Sequence, residues 1–320
     1  MKFEGVRVLV TGGAGFIGSH LVDKLVGLGS LVTVVDNLSL GFIENVNSKA
    51  MFKKLDVCNY ARLKEVIAES MPQMIFHLAA NPTTKESAMG WNNPFADHEV
   101  NMIGTLNVLE AIVNLDIDAT LIYTSSAAVY GEPEYVPMDE KHPTNPVSPY
   151  GVSKLAGEKY ALAYYKERGI RTTILRIFNT YGPRQPRYVM FDLIKKLNDN
   201  PEELELLGTG EQIRDYCYIS DTVGAFILAA ERDASGGVFN IGADDPISIK
   251  SLAETIIRIL GLEDKVKVRY TGKTWSGDIT RLVADISQAK GELGFKRSVF
   301  LEEGLRRLIR WYEDKNKDTA

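Results

Sequence analysis

Val6-Arg7-Val8-Leu9-Val10-Thr11-Gly12-Gly13-Ala14-Gly15-Phe16-Ile17-Gly18 is the stretch that decides the fold. Its opening residues are apolar and mostly β-branched, the composition of a parallel strand buried on both faces. The glycines follow as Gly12-x-x-Gly15-x-x-Gly18, after which Leu21, Leu25 and Leu28 fall at helical spacing. Strand, glycine turn and helix in that order suit the pyrophosphate of a dinucleotide. Glycines let the backbone come close, and the helix N-terminus offers N–H groups with no partner of their own. Leu31 to Val35 reads as a second strand and ends in Asp36, eighteen residues beyond Gly18. A carboxylate there can accept hydrogen bonds from both adenosine ribose hydroxyls and repels a 2′-phosphate, so NAD is expected rather than NADP.

The alternation continues down the chain. Phe52 to Leu55 reads as a third strand ending at Asp56-Val57, and Tyr60 to Glu69 as a helix. Met74 to Leu78 is a fourth strand closing in Ala79-Ala80, where a bulky side chain would obstruct a cofactor lying across the strand ends. A long helix over Ala96 to Val113 carries Asn101. A fifth strand at Thr120 to Thr124, a helix from Tyr150 to Lys166 and a sixth strand at Thr172 to Arg176 complete the first half. Such βα alternation predicts an α/β fold, a Rossmann-like doubly wound parallel sheet with its ligand site at the carboxyl ends of the strands. His77, just before that edge, reads as a packed strand residue. Beyond Gly182-Pro183-Arg184 the pattern gives a helix over Tyr188 to Asn198 and a strand over Leu204 to Leu207. A helix over Asp221 to Glu231, a strand over Gly237 to Ile241, a helix from an N-cap at Ser248 to Leu260 and a last helix over Leu301 to Glu313 follow.

Chemistry is concentrated in Ser148-Pro149-Tyr150-Gly151-Val152-Ser153-Lys154. Tyr150 and Lys154 stand four apart, so a phenol and an ammonium project from one helical face. A free phenol has a pKa of about 10, and bringing it to neutrality takes roughly 4 kcal/mol; a neighbouring cation works in that direction. The fifth strand ends in Thr124-Ser125-Ser126, twenty-four residues before Tyr150. Ser126 could share a proton with a substrate hydroxyl while Tyr150 takes or returns it.

Composition narrows the class. At 320 residues and 45% hydrophobic content the chain can bury a large core with a smaller annexe. The net charge of −5 and the scatter of the 37 basic residues give no nucleic-acid surface. Cys58 and Cys217 lie far apart without metal-ligand spacing, which with the absence of a signal-peptide pattern or a membrane-spanning run suggests a cytoplasmic, metal-free protein.

The motifs TGGAGFIGSHL, VDNLS, DVCN, HLAAN, NMIGTLNVLEA, TSSAAVYG, SPYGVSK, LRIFNTYGPR, GTGEQIRDY and GDITRLVADIS, taken in order, resemble those of the extended short-chain dehydrogenase/reductases. Within them the chain is most similar to the nucleotide-sugar epimerases of the UDP-galactose 4-epimerase type. That resemblance implies a catalytic triad of Ser126, Tyr150 and Lys154. It implies an NAD site formed by Gly12, Gly15, Phe16, Ile17, Gly18, Asp36, Asn37, Leu38, Ser39, Asp56, Val57, Leu78, Ala79, Ala80, Asn101 and Phe178 with Tyr150 and Lys154. Asn179, the backbone near Val189, Arg214, Asp278 and Arg281, together with Ser126, would hold a nucleotide-diphosphate sugar, a UDP-hexose being favoured. It further implies an NAD-binding domain over residues 1–178, with later segments crossing back to it, a mainly substrate-binding smaller α/β domain over 179–320, and a homodimer packed through the helices near Ala96–Val113 and Tyr150–Lys166.

Two departures bear on the reaction. Related 4,6-dehydratases carry an acidic pair after the Ser/Thr and related decarboxylases a Glu in that loop, whereas this chain has Ala127 and Ala128. Epimerisation through a 4-keto sugar is therefore expected over dehydration, with a 4-dehydrogenase as the alternative and a non-catalytic NAD(H) sensor as the alternative of another class. Trp275 stands about where the hexose epimerases often place a diphosphate-binding Arg, leaving Arg281 or Lys273 to replace it. Leu282 takes roughly the place of a pocket-closing residue, often Tyr, which would leave room for a 2-acetamido sugar.

Overall fold

Seven strands run in one direction to form the central sheet, in the order β10-β6-β5-β4-β1-β2-β3. They are β1 (Arg7–Thr11), β2 (Leu31–Asp36), β3 (Met51–Lys54), β4 (Met74–His77), β5 (Thr120–Ser126), β6 (Thr172–Ile177) and β10 (Val238–Ile241). A computed structural model of the chain describes residues 2–81, 91–185, 187–232, 234–273 and 279–317. The order reverses between β1 and β4, which pair in parallel with Thr11 opposite His77. Connections leaving the two strands therefore part in opposite directions and open a crevice at their carboxyl ends.

Alternation within the strands sorts the core. Val8 and Val10 of β1 pack with Leu21, Val22 and Leu25 of α1 (Phe16–Gly27), whereas Leu9 packs on the opposite face with Leu63 and Ile67 of α2 (Tyr60–Ser70) and Val108 and Leu109 of α4 (Gly104–Asn114). All of these side chains are buried, and each contributes roughly 1.5–3 kcal/mol. The short helix α3 (Pro94–Asp97) runs through a π turn at His98–Ile103 into α4, with right-handed helical backbone at both joins. Its start follows from Asn93, whose side chain accepts from Ala96 N, and from Pro94 in the first turn.

Helix α5 (Pro149–Arg168) carries the SPYGVSK segment and is bounded by residues suited to its ends. The Ser148 hydroxyl accepts from Gly151 N at 3.1 Å, Pro149 occupies the first turn, and Gly169 closes the helix at φ 72°. Gly157 lets α5 settle onto β5: a Cβ there would lie 2.1 Å from the Tyr123 hydroxyl.

Val238–Ile241 completes the large sheet beside β6, in register Phe239 with Leu175 and Ile241 with Ile177. The sequence pattern alone put that strand in the second half of the chain without a partner. Four strands that the pattern did not reveal build a separate small sheet: β7 (Asn179–Tyr181), β9 (Ile213–Tyr218), β11 (Pro246–Ser248) and β13 (Arg281–Leu282). A second small sheet pairs β8 (Glu203–Leu206) with β12 (Lys267–Tyr270), which was also unforeseen. The helices α6 (Val189–Asp199), α7 (Ile219–Glu231), α8 (Ile249–Ile259) and α9 (Leu301–Lys317) fall within a few residues of the expected positions. Ser248 caps α8 by accepting from Ser251 N at 3.0 Å. Among the described residues no helix is long and apolar enough to cross a membrane, and no group of three or more metal-ligating side chains comes together.

The Gly157 contact yields a signed expectation. Alanine is the better helix former by about 1 kcal/mol, so an unpacked site would be stabilised by Gly157→Ala. Collision with Tyr123 predicts instead a loss of roughly 1–3 kcal/mol, read from the urea midpoint at unchanged slope.

Candidate active site

The crevice between β1 and β4 is continuous with a cavity of about 1360 Å³, larger than the usual single-ligand pocket. Most sequence-predicted residues line it: the glycine turn with Phe16 and Ile17, then Asp36, Asn37, Ser39, Asp56, Val57, Leu78, Ala79, Ala80 and Phe178. Ser126, Tyr150, Lys154, Asn179, Val189 and Arg214 line it as well. Leu38, Asn101, Lys273 and Arg281 do not, and Trp275 and Asp278 lie outside the described residues.

The three glycines of the turn differ in what they permit. At Gly12, φ is 72° and a Cβ would sit 2.6 Å from Ala79 N; at Gly18 a Cβ would sit 2.1 Å from Gly12 O. Both serve close packing of the turn on the protein itself. A Cβ on Gly15 would meet only Gly12 O, at 3.2 Å, leaving open space on the cleft side. Gly15 is also the N-cap of α1, which has no side-chain cap and no acidic residue in its first turn, so its N–H groups suit an anionic pyrophosphate. Asp36 is buried; its Oδ2 accepts from Ala14 N at 3.0 Å and its Oδ1 from Leu38 N at 2.8 Å. The carboxylate is thus fixed to the glycine turn before it meets any ribose. Asn37 donates to Asp56 Oδ2 at 2.9 Å, tying the ends of β2 and β3 together. A cradle of this shape with a fixed acceptor beside it fits the adenosine diphosphate half of NAD.

Asn101 lies within the π turn and does not line the cavity. Its Nδ2 donates to Ser153 Oγ at 2.9 Å, its Oδ1 accepts from Asn81 N at 2.8 Å, and Ser153 Oγ in turn donates to Tyr150 O at 2.8 Å. It braces the end of β4 against α5 from behind the cleft. His77 is buried neutral, as its strand position suggested: Thr105 Oγ1 donates to Asn101 O, so it accepts from His77 Nε2–H at 3.1 Å, and Nδ1 accepts from Thr11 Oγ1 at 2.7 Å. Burial, and then the charge of Lys154, pull its pKa down to about 3.

At the reacting end the electrostatics differ from the simple expectation that Lys154 lowers Tyr150. Burial raises the Tyr150 phenol well above its ordinary value, and the hydrogen bond with Ser126 opposes this only in part. Lys154, itself buried, is drawn down to about 7 by desolvation against the raising effect of Glu158. Its Nζ lies 4.7 Å above the ring of Tyr123. The amine therefore lies over a ring face, with the Glu158 side chain one helical turn along α5. The Ser126 hydroxyl accepts from Ala128 N at 3.2 Å, which turns the end of β5 into a single 3-10 turn at Ala127–Val129.

Toward the other end of the cavity Arg214 stands in β9 between Ile247 of β11 and Leu282 of β13. Its Nη1 donates to Ile213 O at 2.9 Å, and Asn179 Nδ2 donates to Asp215 O at 3.4 Å. Leu282 lines the cavity where Arg281 points away and is exposed. The structure adds lining residues that sequence reading missed: Phe42, Trp91, Arg184, Arg187, Tyr188 and Lys196. Arg184 and Tyr188 have φ of 67° and 75°, conformations that no local signal other than the Gly-Pro-Arg sequence announces. The segment is latched to the cofactor helix by Arg184 Nη2 on Asp23 Oδ2 at 2.8 Å and by His20 Nε2 on Pro183 O at 2.9 Å.

Parallel sheet, glycine cradle and a Ser/Tyr/Lys centre define a dinucleotide-dependent enzyme of the extended short-chain dehydrogenase/reductase class. The sequence pattern of the NAD dependent epimerase/dehydratase family matches residues 8–242, and the chain belongs to that family. Its cofactor is NAD. The chain is 33% identical over 320 residues to the UDP-glucose 4-epimerase of Mycolicibacterium smegmatis, covering 98% of this chain and 100% of that one. It is similar to the solved UDP-glucose 4-epimerase of Thermotoga maritima with UDP-glucose, at 35% identity and a TM-score of 0.90, covering 97% of this chain and 99% of that one. It is also 34% identical to the UDP-glucuronic acid decarboxylase 1 of Xenopus tropicalis, over 95% or more of this chain (96%) and 72% of that protein.

The glycine geometry predicts opposite outcomes at two positions. Gly15→Ala weakens NAD binding by roughly tenfold or more, about 1.4 kcal/mol, with the melting temperature nearly unchanged. Gly18→Ala lowers the melting temperature, because its Cβ has only backbone to displace. Calorimetric NAD titration and thermal unfolding of both variants check this.

Proposed function

We propose that the chain is an NAD-dependent nucleotide-sugar 4-epimerase of the UDP-glucose/UDP-galactose type. The observation that carries this reading is the cleft wall after Ser126, where Ala127 and Ala128 stand beside Tyr150. Elimination of water from C5 and C6 needs an acid and a base there, and alanine supplies neither. Oxidation at C4 and simple return needs only the hydroxyl, phenol and ammonium that are present.

NAD, when bound, supplies a hydride acceptor that is positively charged in its oxidised form and that can give the hydride back. Tyr150, in the phenolate form that Lys154 and the positive charge of bound NAD would favour against burial, removes the C4 hydroxyl proton while the C4–H bond breaks, leaving a 4-keto sugar with a trigonal C4. Ser126 donates to the reacting oxygen and keeps it in line with the phenol. Lys154 offsets the phenolate charge. For the sugar to present its other face it must turn about the diphosphate linkage while the nucleotide stays clamped. Arg214, whose guanidinium suits phosphate oxygens, is assigned to the clamp with Asn179 and the backbone at Val189. Tyr150 then returns its proton to the oxygen of the inverted carbinol. In this reading residues 1–178 carry the cofactor and 179–320 mainly the nucleotide sugar, with Leu282 leaving room for a 2-acetamido group. A cytoplasmic homodimer through the helices near Ala96–Val113 and Tyr150–Lys166 belongs to the same reading; exposed Phe95 of α3 and Val152 of α5 support the dimer.

The experiment is incubation with UDP-, GDP-, dTDP- and CDP-sugars, with products read by mass and NMR. Unchanged mass with inverted C4 is expected; loss of water, of carbon dioxide or of two hydrogens would replace the reading by dehydration, decarboxylation or dehydrogenation. Absorbance near 340 nm that stays flat with every sugar would leave an NAD(H) sensor. Tyr150→Phe should lower kcat by roughly 100-fold or more with NAD still bound, in the range set by loss of a general acid–base group.

A further inference from the structure

Beneath the reacting residues lies a buried charge pair that the proposed chemistry does not use. Glu158 of α5 is fully buried, and Arg176 of β6 is 4% exposed. Arg176 Nε donates to Glu158 Oε1 at 2.9 Å and Nη2 to Oε2 at 2.8 Å, a two-pronged pair. The third nitrogen, Nη1, donates to Tyr130 Oη at 2.9 Å, and the guanidinium lies 4.8 Å from the centre of that ring. Ser125 Oγ donates to Glu158 Oε1 at 2.5 Å. Ser125 and Arg176 are direct neighbours across the β5–β6 pairing, so the carboxylate caps both strands at one point.

The placement of this carboxylate is set by two periodicities. Glu158 follows Lys154 by four residues, one helical turn, and both are buried. On the strand below, Ser125 follows Tyr123 by two residues and so points to the same face of β5. Tyr123 lies under the Lys154 Nζ and Ser125 bonds Glu158, so ammonium and carboxylate are docked side by side on one strand. Burying a carboxylate costs several kcal/mol unless it is paired and hydrogen-bonded, and Arg176 and Ser125 meet that need. Among the described residues no carboxylate is bonded to the buried Lys154, and the pair sits one helical turn from it.

We propose that Glu158, seated by Arg176 and Ser125, is a positioning residue: it is the counter-charge that keeps the Lys154 ammonium charged in its buried seat beneath Tyr150. The titratable groups facing Lys154 are Tyr123 of β5, His77 of β4, and Tyr150 and Glu158 of its own helix, with Arg176 of β6 behind Glu158 and Asp97 of α3 beyond Tyr150. Of these Glu158 is the negative charge that acts on the lysine, since His77 is neutral and the two phenols are held protonated by burial. The inference deepens the proposed use of Lys154 and rests on the same site, but its test needs no turnover.

Protein carrying 13C-lysine, purified with NAD, is titrated by NMR; the Lys154 Cε resonance is assigned by its loss in Lys154→Arg. Glu158→Gln keeps the shape and the Ser125 contact. It is expected to move the Lys154 midpoint down by about one pH unit or more, since Arg176 is then unopposed. Glu158→Gln with Arg176→Met removes both charges, protects the fold from a lone buried cation, and should give an intermediate midpoint. The alkaline limb of kcat/KM, where a sugar is turned over, should move the same way. A midpoint unchanged in both variants overturns the proposal, even where stability or kcat falls. Absence of turnover by the parent protein with a shifted midpoint would sink the epimerase reading and leave this one standing.

Discussion

Seven parallel strands impose one constraint from which the rest of the molecule follows: every connection must cross from the carboxyl end of one strand to the amino end of another. Loops that end strands therefore gather on one edge, and where the order reverses between β1 and β4 they cannot cover it. Gly12 presses the turn after β1 against Ala79 at the end of β4, so the crevice closes at its base and stays open at its rim. The cradle, Ser126 and the start of α5 all face that rim because the sheet leaves them nowhere else to go. Rigidity comes with the arrangement, since the inner strands β1, β2, β4 and β5 are flanked by buried side chains on both faces.

Much of this was legible in the chain. The strand, glycine turn and helix at residues 6–28 carry both periodicities within one short stretch, and Ser148, Pro149 and Gly169 mark the bounds of α5 by side-chain chemistry alone. The small sheets were not legible. β13 is two residues long and finds β9 some seventy positions away, and β9 itself contains Arg214 and a buried Asp215. No two-residue strand has a hydrophobic period, and Asp215 reads as a surface residue until it is seen accepting from Ala243 N at 2.9 Å and Asp244 N at 3.3 Å. The same reasoning explains Asn101 and Arg281. Asn101 lies within the π turn at His98–Ile103, whose spacing a 3.6-residue pattern does not anticipate, and in β13 the cavity-lining position falls to Leu282.

The phenol and its lysine show why spacing predicts neighbours better than it predicts charge. At an effective dielectric of about 20, an ammonium a few ångströms away is worth on the order of 4 kcal/mol to a phenolate, whereas burial of either ion costs several kcal/mol. Both residues are withdrawn from water, and in both the desolvation wins: the phenol is raised and the ammonium lowered. A site in this condition is poised to respond to charge brought to it. The proton affinities of phenol and amine, nearly equal in water, are thereby pushed apart, so phenolate and ammonium form together only where a charge from outside the pair favours them.

Division of labour within the cleft then bears on how such a scaffold changes its reaction. The residues to which we assign the proton transfer stand on β5 and α5, held by packing such as Gly157 on Tyr123 that tolerates little change. Ala127 and Ala128, on which the proposed choice between elimination and simple return rests, lie in a single 3-10 turn with the cavity on one side. Ala127 is buried and Ala128 half-buried, so of the two Ala128 is the position where a carboxylate costs less in folding, since a partly hydrated charge escapes most of the burial penalty. Chemistry can thus vary at the lip of the cleft while the reacting centre stays fixed. Leu282 has similar latitude, because it belongs to a two-residue strand outside the main sheet, whereas Arg214 is anchored in β9, which pairs with β7, β11 and β13.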